Sequence, residues 1–303
     1  MDTARLRRLL GAWYCEHGRH ALPWRQTRDP YAVLVSEVML QQTRVERVLP
    51  YYDAWLQRWP TADALGAADP SAVIRAWSGL GYNRRAVSLR AAAAMIAAAA
   101  PGMTGNPAAL QRLPGVGPYT ASAVACFAHG ARVAVVDTNI ARVLARCLAG
   151  QAHPSTLPTG QVSLLAESVL PARDARTHNL ALMDLGATVC RARDPGCESC
   201  PLRSLCTWHA SGRPEPPRAA PRTPRFETTS RFARGRIVEA LRSAEDGLSL
   251  ESVVALLPPA HAARAATHLE ALARDQLAEC RDGLWSLPRA RPQGSTSMAS
   301  PKL

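Results

Sequence analysis

The feature that most constrains the fold is the apolar pattern between residues 28 and 150. Apolar residues recur there at helical spacing, Pro and Gly interrupt the pattern at intervals, and no stretch alternates as a strand would. Asp137 stands directly before a further amphipathic stretch, at a position suited to an N-cap. The pattern therefore predicts an all-α fold. The helical stretches before Asp137 are Tyr31–Thr43, Val45–Trp59, Pro70–Leu80, Arg84–Ala100, Pro107–Arg112 and Tyr119–Ala128.

Charge and hydropathy narrow the class of protein. The 303 residues include 36 Lys+Arg against 24 Asp+Glu, a net charge of +12, which indicates a polyanionic partner with nucleic acid as first candidate. The longest apolar run, Ala91–Ala100, is about half of what a bilayer requires. The first ten residues carry charge where a signal peptide is apolar. We therefore expect a cytoplasmic, nucleoid-associated protein.

Lysine is almost absent from the chain. The single lysine is Lys302, and all the other residues in the Lys+Arg count are arginine. A mechanism that attacks its substrate with a lysine amine to form a Schiff base is therefore excluded for the folded part.

Four of the eight cysteines lie within 17 residues. Without an export signal disulfides are not expected, and Cys15, Cys126, Cys147 and Cys280 are scattered. Four thiolates in one short loop can bind one metal centre, either zinc or an iron–sulfur cluster, and the compact spacing favours the cluster. The proposed ligands are Cys190, Cys197, Cys200 and Cys206.

The segment Leu113–Thr120, LPGVGPYT, separates two predicted helices. Gly115 and Gly117 permit a tight turn, and Pro118 suits the first turn of the next helix. Amides at such a turn can bind a phosphate without reading a base, although most turns of this kind only connect helices. Together with the net charge and the cysteine loop, the segment indicates a helix-hairpin-helix DNA-binding element.

Two acids stand in contrasting surroundings. Glu37 lies in AVLVSEVML, a stretch apolar on every side, so burial should raise its pKa and make it a general acid. Asp137, at a helix start, should be kept ionised by amides and the helix dipole. The alternatives are a buried acid paired with an arginine and an ordinary N-cap. The pairing of a raised with a lowered pKa is the arrangement that glycoside cleavage uses.

The C-terminal third changes in composition. Residues 211–230 are Pro-rich and basic, as in an extended linker. Residues 231–288 contain three helix-like stretches and two strand-like runs around Asp282-Gly283, the outline of a winged helix or of a small helical cap. The tail 289–303 is predicted to be disordered.

These motifs together resemble the helix-hairpin-helix base-excision glycosylases, and within that superfamily the adenine glycosylase (MutY) branch. The resemblance runs from about residue 5 to 210. It rests on LPWR (22–25), SEVMLQQTRV (36–45), GLGY (79–82), LPGVGPYTA (113–121), VDTN (136–139), ALMDLGA (181–187) and the cysteine loop.

The resemblance implies a two-lobed fold. A six-helix barrel, residues 28–136, would be flanked by a lobe made of 1–27 and 137–210 that holds one structural [4Fe–4S] cluster. Double-stranded DNA containing an A:8-oxoguanine or A:G mispair would be bound by a monomer, with the target base flipped into the cleft between the lobes.

The resemblance also assigns roles to individual residues. Glu37 would protonate the adenine ring, Asp137 would stabilise or trap the sugar cation, and Tyr119 and Asn139 would position the sugar, the acid and water. Trp24, Arg25 and Asp184 would line the base pocket. Leu40, Gln42 and Tyr82 would wedge into the duplex. Backbone contacts would come from Gly115, Val116, Gly117, Thr120, Arg191 and Arg193.

Tyr119 separates the subfamilies. Relatives that cut the strand have a lysine at this position, so tyrosine implies base removal alone. Thymine-mismatch relatives also carry tyrosine here, which leaves a thymine or other mismatch glycosylase as an alternative, and a non-catalytic iron–sulfur DNA-binding regulator as another. MLQQT and GLGY favour adenine.

The sequence departs from the family at three places. Thr138 stands where glycine is frequent, and Asn83 replaces a second aromatic residue after GLGY. The residues after Cys206 are too few and too helical for the Nudix-like domain that usually recognises 8-oxoguanine. We hypothesise that the basic linker and the winged-helix-like segment substitute for it through arginine–phosphate contacts.

Overall fold

The computed structural model describes residues 2–99, 102–214 and 224–289. The regular secondary structure of this part of the chain is helical apart from one short hairpin, so the predicted all-α class is confirmed. No helix in it is long and apolar enough to cross a membrane. The longer helices are α1 (Thr3–His17), α3 (Pro30–Leu40), α4 (Val45–Arg58), α7 (Arg84–Ala98), α9 (Pro118–Phe127), α10 (Thr138–Ala149), α11 (Gln161–Val169), α12 (Ala175–Thr188), α14 (Ser230–Ser243) and α17 (Ala265–Arg274).

Shorter elements connect these helices. The strands are β1 (Glu279–Arg281) and β2 (Leu284–Ser286), which pair antiparallel. The short helices are α2 (Pro23–Gln26), α5 (Ala62–Gly66), α6 (Pro70–Ala76), α8 (Pro107–Leu110), α13 (Thr207–Ala210), α15 (Leu250–Leu256) and α16 (Pro259–Ala262).

The helix starts follow local capping chemistry. The Asp29 carboxylate accepts from two backbone amides of α3, and Asp69 does the same for α6; each is followed by proline at the first helical position. The sequence placed these starts to within a residue. The helix predicted to run to Leu80 ends earlier, at Ala76, because the chain beyond it adopts left-handed backbone at Gly79 and Gly81.

The described residues fall into two compact units. The first is drawn from Met1–Leu56 and Met95–Pro221. Its central helix is α3, in which every residue from Tyr31 to Met39 is buried. Helix α3 packs on α9, and α12 packs on both α1 and α10. This packing places the charged residues of α3, α10 and α12 inside one body.

The second unit is drawn from Gln57–Ala94 and Arg222–Leu303. Its core joins the apolar faces of α14, α15 and α17 to Ile74 of α6. The predicted helices and the hairpin around Asp282-Gly283 are present, and Leu248 bridges to Trp285 of β2. We call the described residues 224–289 the C-terminal segment.

Two predictions fall partly outside the described residues. They are the linker 211–230, of which 215–223 are not described, and the tail, of which only Arg289 is described. The proposed lobe boundaries, 28–136 against 1–27 with 137–210, stay a prediction.

Candidate active site

A cavity of about 670 Å³ opens in the first unit. This volume lies within the usual range for ligand pockets. Both acids singled out in the sequence line it, although 100 residues separate them. Other residues lining the cavity are Trp24, Arg25, Leu40, Gln42, Tyr119, Asn139, Arg19 and Arg176.

Glu37 occupies the apolar helix α3 and is only 6% exposed. Burial raises its pKa to about 7, against a hydrogen bond from Tyr119 and the nearby charge of Arg25, which lower it. The Asp137 charge raises the pKa further. The prediction of a raised pKa is therefore confirmed, and at neutral pH the carboxyl group can donate a proton.

Asp137 is the N-cap of α10, as predicted. Its carboxylate accepts from the Ile140 amide at 2.6 Å and from Asn139 Nδ2 at 2.8 Å. The expectation that its pKa lies below the ordinary value is wrong. Burial in the cleft raises the pKa, and it outweighs these donors and the charge of Arg142. The two acids therefore differ in the degree of the shift rather than in its direction.

Asn139 is held by Asp137 on one side and by Arg142 on the other. Arg142 Nη2 donates to the Asn139 side-chain oxygen at 2.7 Å and also to the Gly186 carbonyl at 2.7 Å. Arg142 Nε also donates to the Cys190 carbonyl at 2.7 Å. Arg142 thus ties Asn139 to α12 and to the cysteine loop. Sequence reasoning missed Arg142, although its position three residues after Asn139 on one helix was a usable signal.

Trp24 and Arg25 lie in α2, at the side of the cavity. Trp24 is buried and meets the Tyr52 ring edge-on, with centroids 5.4 Å apart. The Arg25 side chain is 6% exposed. Its Nη2 donates to Asp184 at 3.1 Å, while its Nη1 is buried without a hydrogen-bond partner among the described residues. Arg25 Nη1 is therefore a buried hydrogen-bond donor that is available to a ligand in the cavity.

Asp184 is completely buried and does not line the cavity, in contrast to the expectation that it would line the base pocket. Its oxygens accept from the Arg19 amide at 2.9 Å, from Arg19 Nε at 2.8 Å and from Arg25. Asp184 therefore orients the Arg25 side chain from outside the cavity. Arg19 and Arg176 are further arginines that the sequence did not reveal; Arg176 donates to the Arg25 carbonyl at 2.7 Å.

Comparison with known proteins agrees with this geometry. Residues 35–161 match the family described as HhH-GPD superfamily base excision DNA repair protein. The adenine DNA glycosylase of Mycolicibacterium smegmatis is 43% identical over 281 residues, which cover 91% of this chain and 94% of the relative. The chain belongs to the adenine DNA glycosylase family.

Further relatives extend the comparison. The Homo sapiens adenine DNA glycosylase is 43% identical over 216 residues, or 68% of this chain and 39% of the human protein. A thermostable thymine-DNA glycosylase structure is 31% identical with a TM-score of 0.63, covering 69% of this chain and 97% of that one. An endonuclease III–DNA complex, 22% identical with a TM-score of 0.59, shares the fold, covering 70% and 98% of the two chains. The chain is therefore a base-excision DNA glycosylase.

The helix-hairpin-helix turn of this glycosylase lies between α8 and α9. Gly115 has φ 76° and Gly117 is the N-cap of α9; both are exposed. Val116 is buried and anchors the turn. Thr120 is also buried, and its hydroxyl accepts from Gln41 at 3.2 Å, so it is not on the exposed face of the turn.

The residues predicted to wedge into DNA fall in both units. In the first unit Leu40 is half-buried, and Gln42 is exposed with a left-handed backbone at φ 58°. Tyr82 belongs to the second unit, where it is 42% exposed with φ 47°. Left-handed backbone at non-glycine residues is uncommon and often marks a functional position.

The four clustered cysteines line one small cavity of about 30 Å³, together with Arg146 and Trp208. Arg146 Nη1 lies 3.5 Å from Cys190 Sγ and donates to the Arg191 carbonyl at 2.7 Å. Within residues 2–99, 102–214 and 224–289, no three His, Cys, Asp or Glu side chains lie close enough to bind one metal ion. Arg191 and Arg193 are exposed within the loop that carries these cysteines, and Arg191 also contacts Asp194.

Proposed function

We propose that this glycosylase removes adenine opposite 8-oxoguanine or guanine in double-stranded DNA and leaves an intact abasic site. The observation that carries the proposal is the pairing in one cavity of Glu37, with a pKa of about 7, and Asp137, whose carboxylate is held by amide donors. The assignment of adenine comes from the named relatives in Mycolicibacterium smegmatis and Homo sapiens.

The proposed reaction breaks the bond between the sugar C1′ and adenine N9. Glu37 donates its proton to the adenine ring, so the bonding electron pair leaves with a neutral base. Asp137 stabilises the sugar cation, and a water molecule then adds to C1′ and releases its proton to a carboxylate. Asn139, fixed by Arg142, orients Asp137.

The absence of strand cleavage is proposed from two observations. The sequence has no lysine before Lys302. Burial raises the pKa of Tyr119 well above its ordinary value, and the neighbouring acids raise it further, so its phenol stays neutral and serves as a donor to Glu37. A Schiff base to the sugar needs an amine, which Tyr119 does not offer.

The base pocket is proposed to form around α2. Trp24 would offer an aromatic face, and Arg25 Nη1, which has no hydrogen-bond partner in the described part of the chain, would donate to a ring nitrogen of the flipped base. Since Asp184 holds the other Arg25 nitrogen, the direction of this donor is fixed before DNA binds.

Contacts with the DNA backbone are proposed for the amides of the exposed residues Gly115 and Gly117 and for the exposed side chains of Arg191 and Arg193. Leu40, Gln42 and Tyr82 would contact the base left behind. We further propose that the protein acts as a monomer and associates with nucleoid DNA. A sedimentation measurement that gave a dimer at working concentration would contradict the monomer.

The four cysteine thiols do not lie close enough together to bind a single metal ion, but they line one cavity, and four cysteine thiolates are the donor set that holds an iron–sulfur cluster. We propose that Cys190, Cys197, Cys200 and Cys206 hold a [4Fe–4S] cluster, which would fix the loop carrying Arg191 and Arg193. Cys206→Ser should lower the iron content and the visible absorbance of the purified protein. Cys126→Ser is the matched control, since Cys126 is buried beside Asn179 and does not line the cavity.

Single-turnover excision on A:8-oxoguanine, A:G, T:G and U:G duplexes tests the function. Release of adenine from the first two, with strands intact until alkali is added, is expected. Preferential release of thymine would replace adenine with the thymine-mismatch alternative. Release from none of the duplexes would leave a non-catalytic DNA-binding role.

A further inference from the structure

Tyr82 is an exposed aromatic residue in a backbone conformation that aromatic residues rarely adopt. Its φ is 47°, and Gly79 and Gly81 before it are also left-handed. A residue held in this region needs neighbours that fix it, because its own backbone preference does not. The neighbours of the Tyr82 side chain are therefore informative.

Two arginines hold the Tyr82 side chain. Arg231 Nη1 donates to the Tyr82 hydroxyl at 2.9 Å, and the Arg231 guanidinium lies over the ring, 4.8 Å from its centroid. The Arg85 guanidinium lies 5.5 Å from the same centroid. Arg85 lies in α7, the helix that directly follows Tyr82, and it donates to the Leu80 and Gly81 carbonyls. Arg231 comes from α14 of the C-terminal segment, 149 residues away.

Helix α14 is itself fixed to the loop that carries Tyr82. Arg242 Nη2 donates to the Asn83 side-chain oxygen at 2.9 Å, and Arg242 Nε donates to the Ile74 carbonyl at 3.2 Å. Ile74 lies in the hydrophobic core of the C-terminal segment, and Arg75 donates to the Arg242 carbonyl. Helix α14, which carries Arg231, is therefore hydrogen-bonded through Arg242 to the residues on either side of Tyr82.

A second set of ion pairs joins the same elements. Asp275, at the end of α17, pairs with Arg84 of α7 and with Arg234 of α14. Asp275 neutralises part of a strongly basic surface around Tyr82, while Arg231 contacts the ring. Arg84 and Arg234 are thus paired with an acid, whereas Arg231 donates to the Tyr82 hydroxyl.

We propose that Arg231 is a positioning residue for Tyr82, and that the C-terminal segment acts through it to set the discrimination between 8-oxoguanine and guanine opposite adenine. The proposal rests on the proposed function, in which Tyr82 contacts the base left behind. A tyrosine ring held by a hydrogen bond and a guanidinium contact presents one surface, whereas a ring free to rotate adapts to either base.

Arg231→Met removes the hydrogen bond and the charge above the ring. The single-turnover excision rates on A:8-oxoguanine and A:G duplexes are measured, and their ratio is expected to fall about fivefold to tenfold, the size of one lost hydrogen bond. Arg236→Met is the matched control, because Arg236 is exposed on the same helix and its guanidinium lies over Phe232 instead. The control removes an equal charge and should leave the ratio unchanged.

Tyr82→Phe keeps the ring and removes the hydroxyl that Arg231 binds. If the two side chains act as a unit, the double variant Arg231→Met/Tyr82→Phe should show no greater loss of discrimination than the larger single loss. Fully additive losses would show that Arg231 acts elsewhere and would overturn the proposal.

Hydrogen exchange of residues 79–86 gives a readout independent of excision. Exchange is expected to be faster in Arg231→Met than in Arg236→Met, since only the first releases Tyr82. Equal exchange and an equal rate ratio in the two variants would overturn the proposal. Failure of the wild-type protein to release adenine would overturn the proposed function instead, and the exchange experiment would still test the positioning.

Discussion

Gly186 of α12 lies directly against Asn139 at the start of α10. A Cβ atom on Gly186 would come within 2.7 Å of the Asn139 Cβ and within 2.8 Å of the Asn139 carbonyl oxygen. Contacts this short require the backbone to shift. Because Gly186 has no side chain, α12 can approach the start of α10 closely, and this approach accompanies the placement of Asn139 and Asp137 at the cavity.

Gly186→Ala is expected to slow adenine excision at least tenfold, because overpacking of about 1–3 kcal/mol at this contact displaces Asn139 from Asp137. Single-turnover rates on an A:G duplex measure the effect. Gly11→Ala in α1 is the control, since a Cβ there would meet no described atom within 4 Å. Equal rates in the two variants would contradict the assignment of Gly186 as a spacing residue.

The raised pKa of Glu37 predicts the pH dependence of excision. The rate should fall about tenfold per pH unit above pH 7, because the protonated acid is lost. It should also fall at low pH, where Asp137, with a pKa above its ordinary value, becomes neutral. At pH 7 and below, Glu37→Gln should lower the rate by about 10²–10⁴ while duplex binding persists, and the rate of this variant should no longer fall above pH 7. A Glu37→Gln rate near that of wild type would remove Glu37 from the mechanism.

The raised pKa of Glu37 also makes the free energy of unfolding depend on pH. The folded state holds the Glu37 proton up to about pH 7, whereas the unfolded chain releases it near pH 4.5, so stability should decrease as pH rises between these values. Glu37→Gln removes this loss and should raise the free energy of unfolding above pH 7 by up to about 3 kcal/mol. Urea titrations of both proteins at pH 5 and pH 8 measure the difference, which should be small at pH 5.

The sequence predicted the acids of the site better than their supports. Glu37 could be identified because an acid within a uniformly apolar helix is conspicuous, and Asp137 because an N-cap has a local signature. The pKa direction of Asp137 could not be predicted, since it depends on burial by elements distant in the chain. Arg19 and Gly186 were missed for the same reason: their importance arises from contacts with Asp184 and Asn139 that only tertiary packing creates.

Arg142→Met is expected to impair catalysis without changing either acid. Arg142 donates to Asn139, to the Gly186 carbonyl and to the Cys190 carbonyl, each at 2.7 Å. Loss of these charge-assisted bonds should cost about 1.5–3 kcal/mol each where the acceptor stays buried, and should slow excision at least tenfold. Arg281→Met is the control, because Arg281 is exposed and pairs only with Glu279 among the ion pairs of the described residues. Parallel iron analysis shows whether the Cys190 contact also affects cluster retention.

Gly117→Ala separates DNA binding from folding. Gly117 has φ −85°, which any residue adopts, and a Cβ there would meet no atom of the described chain within 4 Å. Folding therefore tolerates alanine, with a change in unfolding free energy of about 0.5 kcal/mol. If a phosphate approaches these amides, the added methyl group should weaken duplex binding about tenfold. The loss should be equal for A:8-oxoguanine and A:G, since phosphate contacts carry no base information. Unchanged affinity, measured by fluorescence anisotropy beside Gly11→Ala, would exclude this turn from the DNA interface.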